Sequence, residues 1–223
     1  MVRDDTLEPV LLGDGDPTSI SPNGKWILSI IPSNPSTIIL YPTEAGEPRR
    51  LDLGKVRMLK ALTSWSRDGR KVVFTGAEPG HAPKAYLLDP NSGQTRPITP
   101  DETTDPLITP DGEAVLVRDK SMAFVIYPIK GGNVKPTRGI SASEVPIQWD
   151  FEGRKLYVWD RTLPAKIYRV DAETGKRELW LEIKPADPSG LLFGHIFISP
   201  DGQSYAYHFR RNLTDLFVAQ NLH

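Results

Sequence analysis

Short apolar runs, each introduced by a polar turn, recur along the chain. One pattern appears five times: an apolar residue, a turn closed by glycine, one polar residue, then an apolar strand. The copies are ISPNGKWIL (20–28), WSRDGRKVV (65–73), ITPDGEAVL (108–116), WDFEGRKLY (149–157) and ISPDGQSYA (198–206). Their glycines, Gly24, Gly69, Gly112, Gly153 and Gly202, lie 45, 43, 41 and 49 residues apart. The first turn residue is Ser, Thr or Asp, whose short side chain can bond its own backbone, and glycine supplies the positive φ of a tight reversal. Three and four residues after each glycine stand pairs such as Ile27 and Leu28, Val72 and Val73, or Leu156 and Tyr157. Apolar residues at both parities predict strands covered on both faces.

A second glycine turn follows 20 to 24 residues later, in ILYPTEAG (39–46), YLLDPNSG (86–93), VIYPIKGG (125–132) and YRVDAETG (168–175). After each comes another short strand, such as RPIT (96–99) or RELWLEI (177–183). Each repeat therefore reads as a four-stranded antiparallel meander, the unit of a β-propeller. The expected fold is all-β: one propeller domain over 1–223 with about five four-stranded blades. The repeats span approximately 18–53, 61–99, 106–138, 145–183 and 194–223. The fifth stops at a third strand, LFVA (216–219). The segment EPVLL (8–12) resembles EPRRL (47–51), the fourth strand of the first repeat. Two readings stay open: the N-terminal strand closes a five-bladed ring, or the chain is an arc of a larger propeller.

These copies resemble the WD40-like repeats of TolB-type propellers, whose mark is a W-S-P-D-G-K turn and strand. The resemblance runs from residue 8 to 219. More closely, TGAEPGHAPKAYLLD (75–89), EVPIQW (144–149) and SYAYHFRRNLTDLFV (204–218) resemble the C-terminal propeller region of bacterial serine/threonine protein kinases. That resemblance implies a sensor or interaction module. Similar repeats occur in TolB of the Tol–Pal envelope system and in prolyl oligopeptidase-like peptidases. The fourth turn departs from the pattern, reading DFEG without proline.

Composition narrows the function classes. The net charge is −1, which gives no electrostatic grip on nucleic acid. There are no cysteines, so disulfides and thiolate chemistry are absent. No apolar run approaches the ~20 residues that span a bilayer, and the first residues do not read as a signal peptide. The compartment stays open, an extracytoplasmic (periplasmic) one included if the chain is a fragment of a membrane-anchored parent. Twenty-one prolines among 223 residues suit many short strands better than long helices.

No catalytic motif emerges. The kinase loop, lysine and aspartate motifs are missing, and so is G-x-S-x-G. His81, His195, His208 and His223 are dispersed, and Asp14 with Asp16 lacks further calcium ligands, so neither a metal nor a cofactor is expected. Trp65 and Trp149, at the pre-turn position, read as core. The expected function is a non-catalytic scaffold or sensor module, monomeric, that binds a protein or peptide. Alternatives are the propeller of a peptidase and a five-bladed carbohydrate-active enzyme. Function tends to sit on variable loops. The longer connections here are TGAEPGHAPK (75–84), RDKSM (118–122), WDRTLPA (159–165), IKPADPSGLLFGH (183–195) and YHFRRNLT (207–214). They point to His81, Arg118, Trp159, Arg161, His208, Arg210 and Arg211 as a partner-binding face.

Overall fold

The computed structural model describes residues 12–31, 37–199 and 201–212. The strands expected at 216–219 and 8–12 lie outside the described residues, all but Leu12. Among the described residues there are strands and turns but no helix, hence none long and apolar enough to cross a membrane. The chain forms two compact units, Met1–Pro136 and Thr137–His223.

The first unit holds three antiparallel meanders. They are β1 (Asp16–Ile20), β2 (Trp26–Ile31), β3 (Thr37–Pro42) and β4 (Arg49–Leu51); β5 (Arg57–Trp65), β6 (Val72–Ala77), β7 (Lys84–Leu88) and β8 (Thr95–Pro97); and β9 (Thr104–Ile108), β10 (Ala114–Arg118), β11 (Phe124–Pro128) and β12 (Lys135–Pro136). Every residue of β6 is buried. Its alternate side chains enter different clusters. Val72 and Phe74 pack with Leu28, Ile38, Leu40 and Tyr86, whereas Val73 packs with Ile108, Val115 and Val117. A strand buried on both faces needs apolar residues at both parities, as the sequence shows. First strands lie side by side, β1 against β5 and β5 against β9. Between β1 and β5, Thr18 and Ser19 both bond the Thr63 hydroxyl, and the Trp65 indole N–H donates to Ser19 Oγ at 2.8 Å.

The second unit holds one more meander, β13 (Val145–Trp149), β14 (Lys155–Trp159), β15 (Ala165–Asp171) and β16 (Arg177–Ile183). A two-stranded sheet follows, β17 (Leu191–Ile198) with β18 (Tyr205–Arg211). Tyr157, Trp159, Ile167, Ile183, Ile196 and Ile198 form the core between them. Two expected loops are shorter than read. Residues 191–195 belong to β17, and 207–211 belong to β18, where Leu192 pairs with Arg210 and Phe193 with Phe209. The reason is a period of two, Tyr205, Tyr207 and Phe209 alternating with Ala206, His208 and Arg210, which the charged residues disguise.

Four of the five repeated turns share one construction. In the second copy Ser66 Oγ donates to Asp68 Oδ1 at 2.6 Å and accepts from the Lys71 N–H at 3.0 Å. Asp68 accepts from the Arg70 N–H at 3.0 Å, and the Gly69 N–H donates to the Ser66 carbonyl. Ser21 with Asn23, Thr109 with Asp111 and Ser199 with Asp201 repeat this. All five glycines sit at φ between +69° and +75°. The later turns divide by sequence. Asp89 and Asp171 accept N–H bonds from the two residues that lead into Gly93 and Gly175, both at positive φ. Pro42 and Pro128 occupy that place in the other two and carry no acceptor; there Gly131 and Gly132 have positive φ and Gly46 does not.

Candidate functional site

The fourth turn is where the pattern breaks, and a cleft opens beside it. Asp150 stands where the other copies have Ser or Thr. Its Oδ1 accepts from both the Arg154 N–H (2.9 Å) and the Lys155 N–H (3.2 Å). One carboxylate oxygen thus does the work that two side chains share elsewhere. The turn still closes by the same backbone bond, with the Gly153 N–H on the Asp150 carbonyl at 3.0 Å. Positions 151 and 152 are released from turn duty, and they carry an exposed Phe and Glu.

The cleft has a volume of about 500 Å³. The turns Asp150–Lys155 and Asp201–Gly202 form its edges, and Tyr157, Arg169, Asp171 and Trp180 line it. Tyr157 and Trp180 meet edge to face at 4.8 Å, and Trp180 meets Tyr205 the same way at 6.5 Å. The Arg169 guanidinium lies 5.9 Å from the Tyr157 ring centre. It faces Asp150 Oδ2 and Glu178, each at 3.8 Å, longer than a hydrogen bond. Its Nε is buried and makes no hydrogen bond. Glu178 is instead held by Lys155 at 2.8 Å, which keeps its carboxyl below the ordinary value. Asp201 is held low by the Ser199 hydroxyl and then the Gln203 N–H, and Asp171 by the Thr174 N–H first. Both are ionised acceptors tied into turns, not proton donors near neutral pH. Among the described residues no three of His, Asp and Glu gather as metal ligands.

None of the seven residues expected on a partner face lines this cleft. His81 is exposed between β6 and β7. Arg118 is only 13% exposed, paired with Asp105 at 3.4 Å and stacked on Phe124 at 4.5 Å. Trp159 is buried, 6.1 Å from Phe193. Arg161 is exposed at φ +63° after β14. His208, Arg210 and Arg211 project from strand β18, not from a loop, with Arg211 bound to Asp187 at 2.6 Å. The cleft lies at the opposite end of the meander, among the short turns. The departure DFEG was its signal, because it marks the one copy whose turn chemistry differs.

Solved structures share the fold of this chain. TolB from Acinetobacter baumannii superposes with a TM-score of 0.64 at 21% identity, over 85% of this chain and 47% of that one. The fold is a β-propeller. A TolB of Agrobacterium tumefaciens gives 0.58 at 20% identity over 87% of this chain and 73% of its own. An oligogalacturonate lyase from Vibrio parahaemolyticus gives 0.57 at 16% over 86% and 58%. The chain spans about half the length of the Acinetobacter TolB. No family model matches it, and no curated protein does.

Proposed function

We propose that the chain is a recognition module, a propeller that binds a protein or peptide without transforming it and serves as the sensor part of a kinase-like parent. The observation that carries this is the cleft itself, where the partly exposed Arg169 guanidinium, in only long ion pairs of 3.8 Å with Asp150 and Glu178, stands beside the rings of Tyr157 and Trp180. Aromatic and arginine side chains are the usual anchors of interfaces. Asp171 and Asp201, fixed as ionised turn acceptors, supply no acid for turnover. The lyase neighbour shares the fold, and one fold serves many functions.

The test is selection of binders from a random peptide display library on the 223-residue chain, with Arg169→Lys and Trp180→Leu as controls. Peptides that lose binding to both variants support the reading. Conversion of oligogalacturonate to unsaturated products by the same chain overturns it in favour of a carbohydrate-active enzyme.

A further inference from the structure

Each sheet has two faces to cover, and the fifth leaves one of them bare. The residue four places after the turn glycine faces the next repeat. Leu28 packs with Val72 and Phe74, Val73 with Ile108 and Val115, and Tyr157 with Ile196 and Ile198. All three are buried. Ala206 holds that place in the fifth repeat and is exposed, with Leu192 and Phe197 on the same face at 57% and 56% exposure. The opposite face of β17 sends Phe193, Ile196 and Ile198 into the core. The first sheet is not bare in this way, because Tyr41 touches Gly13, bonds Asp14 and is buried. An apolar patch of this kind marks an interface. The bare face is also polar in one place only. Leu192 pairs with Arg210 at one end and Phe197 with Ala206 at the other, and His208 lies against Gly194 between them. Among the described residues this face carries no carboxylate and Arg210 forms no ion pair, whereas Arg211 is bound by Asp187.

We propose that the bare face of β17 and β18 pairs two copies of the chain, the second turned end for end. A two-fold axis across the strands brings the Leu192–Arg210 end of each copy over the Phe197–Ala206 end of the other. Ala206 is small and leaves room for the arginine, whose guanidinium reaches the Phe197 ring of the second copy and is attracted by its π-face. Leu192 covers what remains of that ring, and His208 meets its counterpart midway. The two arginines stand at opposite ends, each on an aromatic ring. Stacking the sheets the same way up puts both arginines at one end, where they repel. The interface uses none of the residues that line the cleft, so it stands or falls apart from the recognition reading.

The experiment is sedimentation equilibrium of the 223-residue chain from about 1 to 200 μM, with two variants at one exposed position. The average mass is expected to rise with concentration toward twice the monomer value. Ala206→Asp sets a carboxylate beside Arg210 of the second copy, twice per dimer, and should tighten the dimer about fivefold. Ala206→Lys sets a cation there and should weaken it about tenfold or more. Adding Arg210→Glu to Ala206→Lys should bring the dimer back. Misfolding cannot tighten one variant while loosening the other, so the opposite signs carry the test. A chain that stays monomeric throughout overturns the proposal. So does a dimer that Ala206→Asp and Ala206→Lys weaken alike, or one that neither changes.

Discussion

The Tyr157 hydroxyl lies 2.6 Å from where a Cβ on Gly202 would stand. The turn of the fifth repeat is therefore pressed against the fourth sheet, and its glycine is needed twice: for φ of +69° and for the space. Gly24 has φ of +71° but nothing within 4 Å. Gly24→Ala should cost only the backbone strain, about 1–2 kcal/mol. Gly202→Ala should cost more, because the buried tyrosine must also move. Urea unfolding of both variants checks the ordering; equal losses would mean that the tyrosine yields freely.

Asp150 supports a double-mutant cycle. Asp150→Ser restores the hydroxyl of the other copies, but Glu152 is too long to take the place of Asp68 or Asp111, so the Arg154 N–H loses its acceptor. The single change should destabilise by about 1–2 kcal/mol. Adding Glu152→Asp rebuilds the two-residue acceptor and should recover most of it. Additive losses in the pair would refute the shared-turn account.

Acidification should unpick the turns together. Asp68 and Asp111 are held low first by the hydroxyls of Ser66 and Thr109, and Asp89 by the Asn91 N–H. A carboxylate with a depressed folded pKa stabilises fully above its unfolded value and loses that stabilisation as pH falls through the folded value. Stability should thus be flat from neutral pH to about pH 5 and drop below about pH 4. Asp68→Asn with Asp111→Asn should lower the neutral-pH stability and shrink the acid drop. An unchanged pH profile in thermal melts would show that these carboxylates are not responsible.

Glu144 is buried at 5% exposure, and its partners include the Arg177 guanidinium at 2.8 Å and the Ser141 N–H at 2.7 Å. Arg177 also stacks over Tyr168 at 4.0 Å. Glu144→Ala leaves a donor without an acceptor and should cost about 2–3 kcal/mol, with the half-exposed arginine regaining water. Glu144→Gln, which keeps one acceptor, should cost about half as much by the same unfolding assay.

The repeat, the four-strand meander and the burial of both faces were legible because each is local: the turn residues lie within six positions, and the apolar pairs follow the glycine directly. The cleft was not legible in the same way. Arg169 and Trp180 come from β15 and β16, Asp150 from the turn before β14 and Asp201 from the turn before β18, and only the pairing of sheets puts them together. Charged residues among the aromatics make 207–214 look like a long loop, whereas His208 and Arg210 are exposed positions of strand β18. Arg118 reads as an available cation in the sequence, yet Asp105 and Phe124 already hold it.

The meander has a consequence for how the chain is made. Within each sheet every strand pairs with its neighbour in sequence, and the hydroxyl–carboxylate turns draw both partners from a six-residue stretch. Contacts so close along the chain form early and need little loop closure. The hairpins of each sheet can pair within the ~40 residues that encode them as they leave the ribosome, but a sheet whose two faces are both apolar is stable only once the next one emerges and covers it.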